Sequence, residues 1–424
     1  MVARHATAHV PGSKSVTARA LFLAAAAEGT TRLSRPLDAA DTRAFLGALA
    51  TLGYPVEETA DGWAVTGHRG GPPAAEATVW CHDAGTAARF LPALVALGHG
   101  RYRIDASDQM RARPMSPLVQ ALRDLGVHLN AAPGDRLPLD IRAEGVVGGD
   151  VALDAGISSQ YLTALCLMAP ATKNGLRITI SRLVSAPYVE LTLAMMRDFG
   201  VEAHRDGPTL VIPPATYRAG DYAIEPDAST ASYFFAAAAV TGNSVTVPGL
   251  GRRSRQGDLR FATSVLAKMG CQVESGEHHT TVTGPAQLRS PGEVVMRDIS
   301  DTMMTLAAIA PFADAPVLIR DVANCRVKEC DRIDAITTAL NACGIATRTG
   351  PDWLEITPGE PCDRVIGGTV IDCHADHRIA MASSVLSLRA PGLQLNDPSC
   401  VAKTFPGFHE ELARVVAQWQ QTTS

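Results

Sequence analysis

The sequence lacks several features, and each absence excludes a class of protein. Charge of one sign does not dominate, because 38 Lys and Arg stand against 43 Asp and Glu, for a net charge of −5. No general basic field is therefore available to bind nucleic acid or an anionic membrane. No run approaches ~18 apolar residues, and residues 1–5 form no apolar signal core, so we expect neither a membrane span nor export. Only 5% of the residues are aromatic and 46% are hydrophobic, which is typical of an α/β protein.

Cysteine pairs at metal-binding or redox spacing are absent, although the chain has nine cysteines. An odd, unpatterned set in a large chain indicates reduced thiols, and this predicts a cytoplasmic protein without a disulfide framework or a zinc site. Glycine-rich nucleotide loops of either standard spacing are absent as well. We therefore expect neither a metal nor a cofactor. The cysteines are Cys81, Cys166, Cys271, Cys325, Cys330, Cys343, Cys362, Cys373 and Cys400.

One signal recurs at an even interval: an amphipathic helix that ends in an apolar residue followed by glycine. Glycine just past a helix end is the favoured left-handed cap. Successive cap glycines are separated by 73, 74, 70 and 74 residues. Repetition at this length indicates repeated structural units. The cap glycines are Gly53, Gly126, Gly200, Gly270 and Gly344.

A second kind of helix, which is apolar on all sides, precedes each amphipathic one. Its six copies begin near Ser13, Ala84, Ser158, Ala228, Ser300 and Asp376. Alternating strands precede the later five, at 77–83, 151–155, 222–227, 293–298 and 369–373. Residues 5–11 precede the first helix and could complete the last group of units instead. Six such units predict two compact domains of three units each, while a single six-unit toroid stays open as an alternative.

The apolar helices begin with residues that suit an anion. Pro11-Gly12 ends an extended segment, Ser13 is a good N-cap, and the unpaired N–H groups of a helix start attract anions. The helix dipole contributes only ~0.3–1 kcal/mol at an exposed site, so Lys14 and Arg19 would supply most of the binding. For this helix alone, a capped start with two solvated cations explains the residues equally well. The repetition favours helix starts that converge on one electropositive site.

Further cations and two carboxylates lie where they could complete such a site. In a helical reading of residues 324–332, Lys328 and Arg332 share a face. A solvated charged face remains an alternative for each cation. Together with Asp301 and Glu329, and without a nucleophile or metal, the cations predict acid–base chemistry on an anionic substrate, in which either carboxylate could be the base. The cations are Arg89, Arg111, Arg113, Arg326, Lys328, Arg332 and Lys403.

These motifs resemble those of the 5-enolpyruvylshikimate-3-phosphate synthase family, the enolpyruvyl transferases of the shikimate pathway. The resemblance runs from Pro11-Gly12-Ser13-Lys14-Ser15 to Ala402-Lys403-Thr404-Phe405-Pro406. It implies an α/β fold with two domains of three βαβαββ units each, residues 13–226 and residues 1–12 plus 227–424, and an active site in the cleft between them. The other matching motifs are Ala84-Gly85-Thr86, Arg111-Ala112-Arg113-Pro114, Ser158-Ser159-Gln160, residues 326–332 and Asp376-His377-Arg378.

The resemblance also implies the substrates and the residues that bind them. Asp301 would accept the proton of the attacking hydroxyl, and Glu329, helped by Lys14, would handle the proton that the methylene gains and later loses. Neither nucleic acid nor a membrane is implied as a partner, and we expect a monomer. Shikimate 3-phosphate would be bound by Lys14, Ser15, Arg19, Ser158, Ser159, Gln160, Ser185, Tyr188, Asp301, Asn324 and Lys328. Phosphoenolpyruvate would be bound by Lys14, Gly85, Arg113, Gln160, Arg332, Arg378 and Lys403.

Three positions depart from the usual pattern of this family. Asp83 stands where Asn is usual, Phe90 where some members have Pro, and Ala18 where Asn is common. One alternative is a paralogue with another cyclic or sugar acceptor, although relatives that use UDP-N-acetylglucosamine generally carry a catalytic Cys that residues 110–114 lack. A non-catalytic phosphate-binding relative is a second alternative, but it would be expected to have lost an acid–base residue. Gly85 further predicts inhibition by glyphosate at the phosphoenolpyruvate site.

Overall fold

The computed structural model describes residues 3–359 and 368–421. Its helices are α1 (Lys14–Ala26), α2 (Ala40–Thr51), α3 (Gly85–Ala96), α4 (Asp108–Arg111), α5 (Ser116–Asp124), α6 (Ser159–Met168), α7 (Ala186–Asp198), α8 (Ala228–Thr241), α9 (Met303–Ile309), α10 (Arg332–Ala342), α11 (His377–Ser387) and α12 (Phe408–Gln420). None of these helices is long and apolar enough to cross a membrane, over the residues described.

The strands alternate with the helices along the chain. They are β1 (His5–Thr7), β2 (Ala27–Ser34), β3 (Val56–Thr59), β4 (Gly62–Gly67), β5 (Glu76–Trp80), β6 (His99–Asp105), β7 (His128–Ala132), β8 (Arg136–Glu144), β9 (Gly149–Ala155), β10 (Leu176–Leu183), β11 (His204–Asp206), β12 (Thr209–Ile212), β13 (Tyr217–Arg218), β14 (Asp221–Ala223), β15 (Ser244–Pro248), β16 (Gln272–Ser275), β17 (His279–Thr283), β18 (Glu293–Val295), β19 (Val317–Arg320), β20 (Ala346–Thr349), β21 (Leu354–Thr357), β22 (Val370–Ile371) and β23 (Gln394–Leu395).

The first of two compact units spans Gly12–Ile224 and contains three sheets. Each sheet joins a parallel pair to an antiparallel hairpin, as in the order β5-β6-β8-β7, where α3 connects the parallel strands β5 and β6. The sheet β11-β12-β10-β9 repeats this arrangement with α6 as the crossover helix. In the third sheet, β2 pairs in parallel with β13 and β14, which come from the end of the unit. The predicted βαβαββ repeat is confirmed.

The core of this unit lies among the apolar helices. Almost every side chain of α1 and α3 is buried, as expected of helices that are hydrophobic all round. Phe45 of the amphipathic helix α2 packs edge-on against Phe90, with ring centroids 6.4 Å apart. Because the apolar helices are enclosed, a polar site can form only around their first two turns.

The second unit consists of Met1–Pro11 and Glu225–Ser424. Its sheets have the orders β1-β15-β17-β16, β18-β19-β21-β20 and β22-β23. The N-terminal strand β1 runs parallel to β15, with His5 opposite Ser244, and so has the position in this sheet that β5 has beside β6 in the first unit. The units divide before Gly12 and before Glu225, one and two residues ahead of the expected boundaries. Cys362 lies outside the described residues, and the other cysteines are free thiols.

Three local predictions need correction. The amphipathic helix before Gly270 is π-helical over Phe261–Leu266, although its apolar side chains remain buried. The helix expected near Ser300 begins as a 3₁₀ turn, Ser300–Thr302, ahead of α9. The helical reading of residues 324–332 is wrong: the 3₁₀ helix Ala323–Val327 ends before Lys328, and α10 starts at Arg332. The reason is Asp331, whose side chain accepts a hydrogen bond from the backbone N–H of Asp334 and thereby caps a new helix.

Candidate active site

In the first unit, the start of α1 brings a lysine next to a buried carboxylate. Ser13 caps the helix, accepting a hydrogen bond from the backbone N–H of Val16 at 3.4 Å. Lys14 Nζ lies 3.2 Å from Asp41 Oδ2, and the two side chains are 15% and 4% exposed. Asp41 is not identifiable from the sequence, because nothing there links it to a lysine that precedes it by 27 residues.

Arg19, one turn further along α1, is buried and held in place by several hydrogen bonds. Its guanidinium donates to Thr192 Oγ1 at 2.8 Å, to the Ser15 carbonyl at 2.9 Å and to the Tyr188 carbonyl at 3.0 Å. Burial lowers the pKa of Arg19 to about 10, partly offset by Tyr188. Ser185, which is buried, holds a left-handed φ of 53° at the start of α7. The structure therefore brings Arg19 together with Ser15 and Tyr188, and the backbone N–H of Tyr188 donates to the Ser185 carbonyl at 3.1 Å.

The starts of α3 and α6 meet around two arginines. Arg89 donates to Gln160 Oε1 at 2.9 Å, which joins the second apolar helix to the third. A Cβ atom on Gly85 would lie 2.8 Å from Arg113 Nη1 and 3.0 Å from Arg89 Nη1, so only glycine leaves room for both guanidinium groups. At the start of α6, Ser158 accepts a hydrogen bond from the backbone N–H of Gln160 at 3.3 Å, and Ser159 is buried. Arg89 thus belongs to the cationic group, although no substrate contact was assigned to it from the sequence.

Two other arginines have structural roles. Arg111 contacts both carboxylate oxygens of Asp105, at 2.8 and 2.7 Å. Arg326 donates to Asp331 Oδ2 at 2.7 Å and to two backbone carbonyls, of Gly350 and Pro351. The family resemblance assigned neither arginine to a substrate. This is consistent with the structure, in which each arginine pairs with a carboxylate of the protein.

In the second unit, Arg332 lies among three carboxylates. Its guanidinium donates to Asp376 Oδ2 at 2.7 Å and to Glu329 Oε2 at 2.7 Å. The third carboxylate, Asp301, lies 3.5 Å from Arg332 Nη1. Burial disfavours the charge of Arg332, but Asp376, Glu329 and Asp301 outweigh it and raise the pKa of the guanidinium. The arginine thus stays charged and ties together the two carboxylates expected to handle protons.

Asp301 is also contacted by other cations. Arg378 Nη2 donates to Asp301 Oδ2 at 2.9 Å, and Lys328 Nζ lies 3.7 Å from Asp301 Oδ1. Asp376 orients Arg378 as well, because its Oδ1 accepts the backbone N–H of Arg378 at 2.9 Å and caps α11. Lys328 and Arg332 therefore converge on one carboxylate without sharing a helix.

The remaining predicted residues of this unit are buried. Asn324 donates through Nδ2 to Ser300 Oγ at 3.0 Å, next to Asp301 in the chain. Lys403 ends the 3₁₀ helix Pro398–Lys403 and is 8% exposed. Within the described ranges, no group of three or more His, Cys, Asp or Glu side chains is placed to hold a metal ion. Each unit thus presents buried cations, and the second unit adds the carboxylates of Asp301 and Glu329.

Comparisons with known proteins agree with this arrangement. A family model described as EPSP synthase (3-phosphoshikimate 1-carboxyvinyltransferase) matches residues 4–412. A 3-phosphoshikimate 1-carboxyvinyltransferase of Trichormus variabilis is 42% identical over 419 residues, covering 97% of each chain. The protein of that name from Thiobacillus denitrificans is 42% identical over 416 residues, covering 96% of each chain.

Two solved structures share the fold at low sequence identity. EPSP synthase from Acinetobacter baumannii gives a TM-score of 0.79 at 24% identity and covers 97% of this chain and 96% of its own. The enolpyruvyl transferase NikO from Streptomyces tendae gives a TM-score of 0.77 at 20% identity, with coverages of 98% and 95%. These two structures support the fold. The acceptor substrate has to be inferred from the relatives of higher sequence identity.

Proposed function

Because the chain belongs to the EPSP synthase family, we propose that it transfers the enolpyruvyl group of phosphoenolpyruvate to the 5-hydroxyl of shikimate 3-phosphate. It is a transferase of the shikimate pathway. The observation that carries the proposal is the Arg332 cluster, in which the buried guanidinium of Arg332 holds the carboxylates of Asp301 and Glu329 together. Such a cluster suits proton transfer on an anionic substrate.

The reaction consists of an addition and an elimination. In the addition, the acceptor oxygen bonds to C2 of phosphoenolpyruvate, the hydroxyl proton goes to a base, and C3 gains a proton to become a methyl group. In the elimination, the methyl group of this tetrahedral intermediate loses a proton and the bond to phosphate breaks, which releases phosphate. We assign the base to Asp301, and the proton transfers at C3 to Glu329 with Lys14.

We assign residues to the two anionic substrates according to the positions of the buried cations. Buried Arg19 and its neighbours suit a phosphate, since arginine remains charged even when burial lowers its pKa. We assign shikimate 3-phosphate to Lys14, Ser15, Arg19, Ser158, Ser159, Gln160, Ser185, Tyr188, Asp301, Asn324 and Lys328. We assign phosphoenolpyruvate to Lys14, Gly85, Arg113, Gln160, Arg332, Arg378 and Lys403. For glyphosate we propose competition with phosphoenolpyruvate; an inhibition constant in the millimolar range would contradict this.

Two broader properties are proposed with the reaction. The unpaired thiols are consistent with a reducing compartment, which supports a cytoplasmic location. A monomer is the simplest state, because each unit has its own hydrophobic core. Size-exclusion chromatography with light scattering would test the oligomeric state.

A different acceptor is the second candidate. NikO shows that this fold also occurs in a protein described only as an enolpyruvyl transferase. Asp83, which stands where Asn is usual, is the departure that bears on this alternative, since its carboxylate lies against the hydroxyl of Ser107 near the start of α3. The curated relatives favour shikimate 3-phosphate.

The deciding experiment measures phosphate release by the purified protein with both substrates and with each one omitted. Release that requires both substrates, together with the enolpyruvyl ether in the mass spectrum, is the expected result. If phosphoenolpyruvate binds but shikimate 3-phosphate yields no product, the acceptor is different.

A further inference from the structure

We propose that Asp41 is a positioning residue for Lys14, an inference that rests on the proposed function because Lys14 is assigned there to both substrates. The contact joins Lys14 Nζ to Asp41 Oδ2 at 3.2 Å. Asp41 is only 4% exposed, and a carboxylate is costly to bury unless a cation pairs with it. The pair therefore couples the first residue of α1 to the first turn of α2.

The segment that carries Asp41 is fixed against α1 at two points. A Cβ atom on Gly12 would lie 2.4 Å from the Arg35 carbonyl oxygen. Only glycine at this position therefore lets the segment come so close to the start of α1. Thr17, on the buried side of α1, accepts a hydrogen bond from the backbone N–H of Leu37 at 3.0 Å. These contacts set the position of Leu37 relative to Lys14.

The turn between Leu37 and α2 is fixed as well. The Thr42 hydroxyl lies 3.0 Å from the Ala39 carbonyl and also donates to the Leu37 carbonyl. The backbone N–H of Ala39 in turn donates to that hydroxyl at 3.2 Å. Asp41 is adjacent to Thr42, so the backbone that presents its carboxylate has little freedom. The carboxylate is thus a rigid anchor for a lysine, whose side chain is otherwise among the most flexible.

An ammonium has three N–H donors, so a contact with one carboxylate is compatible with binding a substrate anion. Holding Nζ in place lowers the entropic cost of reaching the reacting geometry. The competing explanation is that Asp41 only stabilises the positive end of the α2 dipole. That role would change stability but leave the kinetic constants unchanged.

The test compares Asp41→Asn, Asp41→Glu and Lys14→Met, with Asp38→Asn as the matched control. Asp38 lies on the same segment, is exposed and pairs with Arg43, so its loss removes a neighbouring charge without touching Lys14. We expect Asp41→Asn to lower kcat by about 10–100-fold, because displacement of a reacting group by ~1 Å can cost ~100-fold. We expect Asp41→Glu to recover part of that loss, and Asp38→Asn to match the unaltered protein.

The double variant Lys14→Met/Asp41→Asn makes the test specific. If Asp41 acts through Lys14, its removal should cost little once Lys14 is gone. An unchanged kcat in Asp41→Asn, with a large loss in Lys14→Met, would overturn the inference and leave the proposed function intact. An unchanged kcat in Lys14→Met would instead remove Lys14 from the mechanism, and the inference with it. Should Asp41→Asn fail to fold, the same comparison is made with Asp41→Glu, and a loss of kcat as large in the Lys14→Met background as in the unaltered protein would overturn the inference.

Discussion

At the scale of single residues, the candidate site depends on where side chains are absent as well as where they are charged. Gly85 begins α3 in the space between the guanidinium groups of Arg89 and Arg113. A methyl group there would meet the flexible end of a side chain, which can move, so we expect the protein to fold. The displaced group would be Arg113, which we assign to phosphoenolpyruvate.

We therefore predict that Gly85→Ala raises the KM for phosphoenolpyruvate about 10-fold or more, with a smaller change for shikimate 3-phosphate, because a displaced cation binds its anion poorly. Steady-state kinetics with each substrate varied in turn would measure the change. Gly47→Ala is the matched control, since a Cβ atom on Gly47, in α2, meets nothing within 4 Å. Equal changes in both KM values would mean that Gly85 affects the whole site rather than one substrate.

A second prediction concerns Glu329, whose buried carboxylate accepts from Arg332. The substitution Glu329→Gln keeps the shape but removes the acid–base group, so we predict a fall in kcat of roughly 10²–10⁴-fold with substrate binding retained. Glu355→Gln makes the same change on β21, where Glu355 pairs with the exposed Arg348 of β20, and it should leave kcat unaltered. Calorimetric titration would measure binding beside the kinetics. Full turnover by the Glu329→Gln variant would remove this carboxylate from the mechanism.

At the scale of secondary structure, the ends of the amphipathic helices were the most predictable part of the fold, because adjacent residues determine them. Each glycine predicted to end an amphipathic helix has a positive φ, from 78° at Gly344 to 92° at Gly270. A glycine cap depends on a few adjacent residues, so the sequence carries it in full. The repeat of these caps predicted six α/β units, and the family resemblance was needed to choose two domains over a single six-unit toroid.

Predictions that depended on three-dimensional neighbours were less complete. Lys328 and Arg332 were expected to share a helix face, but that helix does not exist, and the two cations instead approach Asp301 from different segments. Asp41 and Lys14 meet through the packing of α1 against α2, which no local pattern encodes. The sequence therefore indicated which residue types the site uses and left their partners undetermined.

Asp331 offers a prediction at this scale, because it starts α10 just before Arg332. Its Oδ1 accepts the backbone N–H of Asp334 at 3.1 Å, and its Oδ2 accepts from Arg326 at 2.7 Å. We predict that Asp331→Ala lowers the free energy of unfolding by about 1–2 kcal/mol, whereas Asp331→Asn, which keeps a capping oxygen, costs less. Urea denaturation would compare them. If Asn were as damaging as Ala, the ion pair with Arg326 would be the larger contribution.

At the scale of the whole molecule, the chain forms two hydrophobic cores, and one of them combines residues from both ends of the sequence. One core contains residues between Val16 and Ile224, and the other combines Ala6 and Ala8 with residues from Ala228 onward. The chain therefore begins in the second unit, forms the whole of the first unit and then completes the second. The short stretch before Gly12 contributes to a core otherwise assembled more than 200 residues later.

Removal of residues 2–9 should consequently destabilise one unit only. The deletion would expose the edge of β15, because β1 pairs with it and the backbone N–H of Ala8 donates to the Thr246 carbonyl at 2.9 Å. It would also remove contacts with α12, including the hydrogen bond from Arg414 to the Thr7 carbonyl at 2.5 Å. With several hydrogen bonds lost at about 1 kcal/mol each, we predict a loss of roughly 3 kcal/mol or more.

Hydrogen exchange followed by mass spectrometry would locate that loss within the molecule. Amides of β15 and β17 should exchange faster after the deletion, while those of β2 and β4, in the unit Gly12–Ile224, serve as the internal control and should keep their protection. Protection that falls equally in both units would show that they unfold together, and that the N-terminal strand supports the stability of the entire chain. Protection that falls only around β15 would show that the first residues of the chain stabilise the unit in which its last residues fold.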